Sequence, residues 1–107
     1  MNTNISANKL TPAFPTHPGE VIKDEIEYRG ISQHKLAQQT GIAYSAVNEM
    51  LNGRRAITEK SALLIEAALG LDAETIMRMQ YRYNMHTAKK DSTFMSRLSG
   101  IRRIAVL

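Results

Sequence analysis

The 107-residue chain contains no cysteine, which excludes disulfides, thiol chemistry and cysteine-ligated metal sites. It has no apolar run long enough to cross a bilayer. Its first ten residues, MNTNISANKL, show no basic stretch followed by an apolar one of the kind that directs secretion. A cytoplasmic protein with no membrane partner is expected. Strand-like alternation is missing before the last few residues, and there are no internal repeats or low-complexity tracts. His17, His34 and His86 lie far apart, with no histidine or carboxylate four residues away, and no glycine-rich loop follows a strand. Serine, histidine and aspartate are present but scattered. Neither a metal, nor a cofactor, nor an enzymatic activity is expected.

What is present points to one small helical core. With 43% hydrophobic residues, a chain of this length buries a single modest core and leaves its ends less ordered. The net charge of +4 hints at a polyanionic partner, but its distribution says more. Residues 1–77 hold seven Lys/Arg against nine Asp/Glu, whereas residues 78–107 hold seven basic groups against Asp91 alone. The first part therefore carries −2 and the second +6.

Helix signals recur along the chain. Pro18 suits a first helical position, Val21, Ile22 and Ile26 form a core stripe, and Gly30 ends that helix after Arg29. Ser32 caps a second helix and Gly41 reverses the chain. A third helix spans Tyr44 to Leu51, and Asn52-Gly53 stops it. Thr58 caps a fourth, with Ala62, Leu63, Ile65 and Leu69 buried and Gly70 as its stop. Asp72 caps a fifth, from Ala73 to about His86, with Ile76, Met79 and Tyr83 facing inward. Beyond Lys89-Lys90, Phe94, Leu98 and Ile101 share one helical face with Arg97 beside them, and Gly100 weakens that helix past its middle. The expected fold is all-α: an extended or disordered arm over 1–17, with Phe14 able to pin it to the core, a five-helix domain over 18–86, and a basic C-terminal extension over 87–107.

Residues 31–58, ISQHKLAQQTGIAYSAVNEMLNGRRAIT, carry the functional signal. Leu36 and small Ala37 face inward from one helix, Gly41 takes the positive φ of a sharp turn, and Ile42, Val47 and Met50 or Leu51 lock the next helix against it. The leftover polar positions of that helix, Tyr44, Ser45, Asn48 and Glu49, face outward. This is the grammar of a helix-turn-helix, whose second helix enters the major groove of double-stranded DNA. Asn48 is suited to adenine N6 and N7, Ser45 to several base edges, and Tyr44 to a thymine methyl or a phosphate. Gln33 at a helix start, Lys35, and the Arg54-Arg55 pair on the following turn are the candidates for phosphate. For each, the plain alternative is a solvated surface side chain.

These residues resemble the XRE, or lambda-repressor-like, helix-turn-helix family. The likeness extends to HigA-type antitoxins: HPGEVIKDEIEYRGIS at 17–32, LNGRRAIT at 51–58, ALLIEAALG at 62–70 and MRMQYRYN at 77–84 match that family's segments in order and spacing. The resemblance implies an autorepressor that dimerises on its own operator and binds a RelE-like mRNA-cleaving toxin. Leu64 stands where the family pattern tends to be polar. With Phe94, Leu98 and Ile101 it is a candidate for the dimer or partner surface. Two other functions compete: a stand-alone or phage-like regulator with no toxin, and a general nucleic-acid binder acting through the basic tail.

Overall fold

The structure, a computed structural model, describes residues 14–106, and all its regular elements there are helices. They are α1 (Pro18–Arg29), α2 (Gln33–Thr40), α3 (Tyr44–Leu51), α4 (Glu59–Leu69), α5 (Ala73–Lys90) and α6 (Ser92–Ala105). The chain divides into a compact unit over Thr16–Tyr81 and a second made of the residues before and after it, the division falling within α5. Most of the arm expected over 1–17 lies outside the described residues. No described helix is long and apolar enough to cross a membrane.

In the first unit, α1 and α2 both pack on α3, and α4 packs on α2. The core joins Ile22 and Ile26 of α1, Leu36 and Ala37 of α2, Val47, Met50 and Leu51 of α3, Ile57 of the next loop, Ala62, Ile65 and Leu69 of α4, and Ala73 and Ile76 of α5. Burying a side chain of this size stabilises the fold by about 1.5–3 kcal/mol. Capping fixes the helix starts: Ser32 Oγ accepts from the Lys35 amide at 3.0 Å, Thr58 Oγ1 from the Ser61 amide at 3.2 Å, and Asp72 Oδ2 from the Thr75 amide at 2.9 Å. The Thr75 hydroxyl and amide hold the Asp72 carboxyl below its usual range.

Several expectations are corrected. A sixth helix continues through Gly100, because a helical glycine costs only about 1 kcal/mol, because Asp91 Oδ1 accepts from the Phe94 amide at 3.0 Å, and because Arg102 and Arg103 suit the negative end of the helix. The fifth runs on to Lys90 rather than His86, since nothing between them opposes a helix and the two lysines favour its last turn. Val21 is 42% and Leu63 57% exposed, each one position, about 100° of helix turn, off the true stripe. On α5 the buried stripe is Ala73, Ile76 and Gln80, whereas Met79 and Tyr83 are only half-buried.

In the second unit, Phe14 meets the His86 ring edge-on at 4.5 Å between centroids and lies 5.5 Å from Tyr83, with Lys90 Nζ 5.4 Å from its own centroid. Phe14 is thus held by the end of α5. No residue of α6 is buried.

Candidate nucleic-acid interface

The pairing of α2 with α3 begins at the end of α2. Gly41 has φ 76° and its amide donates to Ala37 O at 2.9 Å, closing α2 in a conformation that a Cβ would strain. Thr40 Oγ1 donates to Leu36 O at 2.8 Å and accepts from the Ile42 amide at 3.2 Å, so the turn is braced from within. Buried Leu36 and Ala37 then meet Val47, Met50 and Leu51, and the opposite side of α3 is left outward.

That outward side holds the four expected readers. Tyr44 and Ser45 are exposed in the first turn, while Asn48 and Glu49 are half-buried one turn later. Asn48 Nδ2 donates to Gln33 Oε1 at 2.9 Å, and Arg54 Nη2 donates to Asn48 Oδ1 at 3.4 Å. Three residues from α2, α3 and the following corner thereby form one hydrogen-bonded chain. Their placement fixes which amide face of Asn48 points outward, and the other Nδ2 hydrogen and an Oδ1 lone pair remain for a ligand. Gln33, a candidate for phosphate, engages Asn48 through its Oε1, and its Nε2 hydrogens are the donors that a phosphate would take.

Glu49 is engaged as well. Arg55 Nη2 lies 2.7 Å from its Oε1, with both side chains substantially in water, so the pair contributes little stability and is readily exchanged for another anion. The backbone supports the same geometry, since the Arg54 amide donates to Glu49 O at 2.8 Å. Lys35 is exposed on α2. The His34 and Tyr44 rings stack nearly parallel, at 8° and 3.8 Å between centroids, tying the first turns of α2 and α3 together. No signal in the sequence marks this stack, since it depends on the angle between two helices.

A corner from Asn52 to Thr58 follows α3. Gly53 turns it at φ 73°, and Lys23 Nζ reaches Asn52 Oδ1 at 3.3 Å. Buried side chains stand behind it: His17, which caps α1 by accepting from the Gly19 amide at Nδ1 across 2.9 Å, and Gln80, whose Oε1 accepts from the Ile57 amide at 2.9 Å. Burial holds the His17 imidazole below its ordinary pKa, partly opposed by a hydrogen bond to the Arg55 backbone and by the charge of Glu20.

Elsewhere, Leu64 is 41% exposed on α4. In the other unit, Phe94 and Ile101 are exposed and Leu98 is half-buried on α6, where Arg97, Gly100, Ile101, Arg103, Ile104 and Val106 line a shallow apolar groove. No group of three metal-binding side chains occurs among the described residues.

Comparison with known proteins places this geometry. A family model described as helix-turn-helix matches residues 22–76. Virulence-associated protein I of Dichelobacter nodosus is 34% identical over 76 residues, covering 70% of each chain. Among solved structures, an addiction module antidote protein of a HigA family from Coxiella burnetii aligns with TM-score 0.68 and 32% identity, over 75% of this chain and 88% of that one. The Pseudomonas aeruginosa antitoxin HigA, solved with the higBA promoter, aligns with TM-score 0.65 and 29% identity, over 69% of this chain and 82% of that one.

Proposed function

This chain belongs to the helix-turn-helix family, and on that premise we propose that it is a sequence-specific transcriptional repressor, the antitoxin of a HigBA-type module. In this reading it binds its own operator as a dimer and neutralises a RelE-like, mRNA-cleaving toxin. The observation that carries the DNA-binding part is the chain Gln33–Asn48–Arg54, which joins a base-reading amide to a guanidinium at the outward side of α3. Asn48 pairs with adenine N6 and N7, Glu49 accepts from cytosine N4, Ser45 meets a base edge, and Tyr44 meets a thymine methyl or a phosphate. Lys35, Arg54 and Arg55 hold the flanking phosphates, with Gln33 behind Asn48.

Dimerisation follows from need. One eight-residue helix makes few base contacts, and a two-fold pair doubles them over half-sites roughly 34 Å apart. Exposed Leu64, or the α6 stripe of Phe94, Leu98 and Ile101, supplies the surface for the second copy or the toxin. The antitoxin assignment is supported by the likeness to the Coxiella and Pseudomonas proteins. The alternative is a stand-alone or phage-like regulator without a toxin, which the strongly basic stretch 78–107 keeps in view.

Two experiments test this. Gel-shift titration with DNA from upstream of the chain's own reading frame is expected to give a specific complex that a scrambled duplex does not compete away, and equal competition defeats the repressor reading. Co-expression with the adjacent reading frame is expected to yield a co-purifying partner and relief of toxicity. A neighbour that neither binds nor harms the cell leaves the stand-alone regulator as the function.

A further inference from the structure

Three polar side chains are buried among the described residues: His17, Thr40 and Gln80. Thr40 serves the end of its own helix. The other two come from opposite ends of the Thr16–Tyr81 unit, yet both bond the backbone of one short corner. Gln80 takes the Ile57 amide at 2.9 Å, and the His17 ring bonds the Arg55 backbone. Because Nδ1 of His17 already accepts from Gly19, Nε2 is the nitrogen left to donate to the Arg55 carbonyl, which fixes the neutral tautomer.

The placement of His17 is itself built in. A Cβ on Gly19 would collide with Met50 O, so the start of α1 rests directly on the last turn of α3, backbone to backbone. A Cβ on Gly53 would meet the His17 ring at 3.7 Å, so the ring lies close against the corner. Buried polar groups are costly unless bonded, and an apolar side chain would fill either space without that cost. Between them, Asn52, Arg54, Arg55 and Ala56 are exposed, so Ile57 is the side chain by which the corner packs into the core and the residues before it depend on backbone bonds.

We infer that His17 and Gln80 are positioning residues, clamping the backbone of residues 53–57 so that Arg54 and Arg55 meet DNA phosphate already ordered. The inference rests on the DNA-binding reading above and adds to it the part of the molecule that holds the phosphate grip in place. A corner ordered beforehand loses less conformational freedom on binding, and that difference appears as affinity.

The test uses the full chain and a mixed-sequence duplex of about 30 base pairs, since phosphate binding is independent of sequence. His17→Asn keeps a cap acceptor but cannot span to Arg55, and Gln80→Met keeps the bulk but not the acceptor. Circular dichroism first establishes that each variant is folded at the temperature used, and either one suffices. Each is expected to bind about threefold to tenfold more weakly, with the slope of log K against log salt reduced by up to about 0.9 for each phosphate that is no longer neutralised. In an Arg54→Ala, Arg55→Ala background the same substitutions are expected to have no further effect. Folded variants with wild-type affinity and slope overturn the inference, as does a weakening that persists in the background lacking Arg54 and Arg55. If the arginine double variant itself binds like wild type, the phosphate reading is what fails.

Discussion

Asn48 Nδ2 donates to Gln33 Oε1 across 2.9 Å, joining residues fifteen positions apart on two helices into one hydrogen-bonding surface. The bond orients the Asn48 amide in the free chain, so the base reading proposed for Asn48 would depend on a residue that need not touch a base. Asn48→Ala is expected to relax preference at one base pair by about 1–3 kcal/mol. Gln33→Ala is expected to do the same more weakly, and the double variant is expected to be no worse than Asn48→Ala. Competition assays against operators substituted at each position measure this. Additive effects would mean that Gln33 touches DNA on its own account.

Glu49 and Arg55 make an opposing pair at the same surface. Glu49→Gln removes the local carboxylate and frees the guanidinium for phosphate. The variant is expected to bind mixed-sequence DNA about twofold to fivefold more tightly at low salt, with the difference shrinking as salt screens it. Fluorescence anisotropy at two ionic strengths decides, and a weaker variant would mean that the pair with Glu49 helps Arg55 to meet phosphate rather than competing with it.

His17 gives the fold an acid limit. Its folded pKa lies below the ordinary 6.5. As pH falls through that value the unfolded chain takes up a proton that the folded chain refuses. Stability is therefore full above pH 6.5 and declines below it until the folded pKa is passed. Protonation would also place an N–H at Nδ1 against the Gly19 amide and remove the cap. The difference in thermal midpoint between wild type and His17→Asn is expected to narrow on acidification from pH 7, and parallel curves would assign the acid sensitivity to other groups.

Two leucines separate core from surface. Leu36 is fully buried between α2 and α3, and Leu36→Ala is expected to destabilise the chain by about 2–5 kcal/mol. Leu63 is 57% exposed, and Leu63→Ala is expected to cost under about 0.5 kcal/mol. Urea denaturation compares them. A large destabilisation at Leu63 would mean that this face is covered in solution.

Much of this was legible in the residues because it is local. Pro18, Ser32, Gly41, Thr58 and Gly70 each mark a helix end through their own backbone or side-chain chemistry, and α1, α2 and α4 start, and α2 and α4 end, where those signals put them. The outward set on α3 follows from helix periodicity once Val47, Met50 and Leu51 are given to the core. Side-by-side choices were harder. Val21 and Ile22, or Ala62 and Leu63, differ by one position on a helix, and which is buried depends on the direction from which a neighbour arrives. Gln80 was illegible for a related reason: only the Ile57 amide, twenty-three residues away, makes a buried amide tolerable there. The His34–Tyr44 stack and the Gln33–Asn48 bond likewise require the angle between two helices, which no single segment encodes.

His17 and Gln80 stand one residue inside the two ends of the Thr16–Tyr81 unit, with the reading helix between them. During synthesis α2 and α3 therefore leave the ribosome well before the second clamp exists, and a chain clipped within α5 keeps its recognition helix while losing the bond to Ile57. Such fragments carry the reader without its fully set phosphate grip. Removing either end of the unit is then expected to weaken the proposed phosphate grip while the residues of α3 stay in the chain.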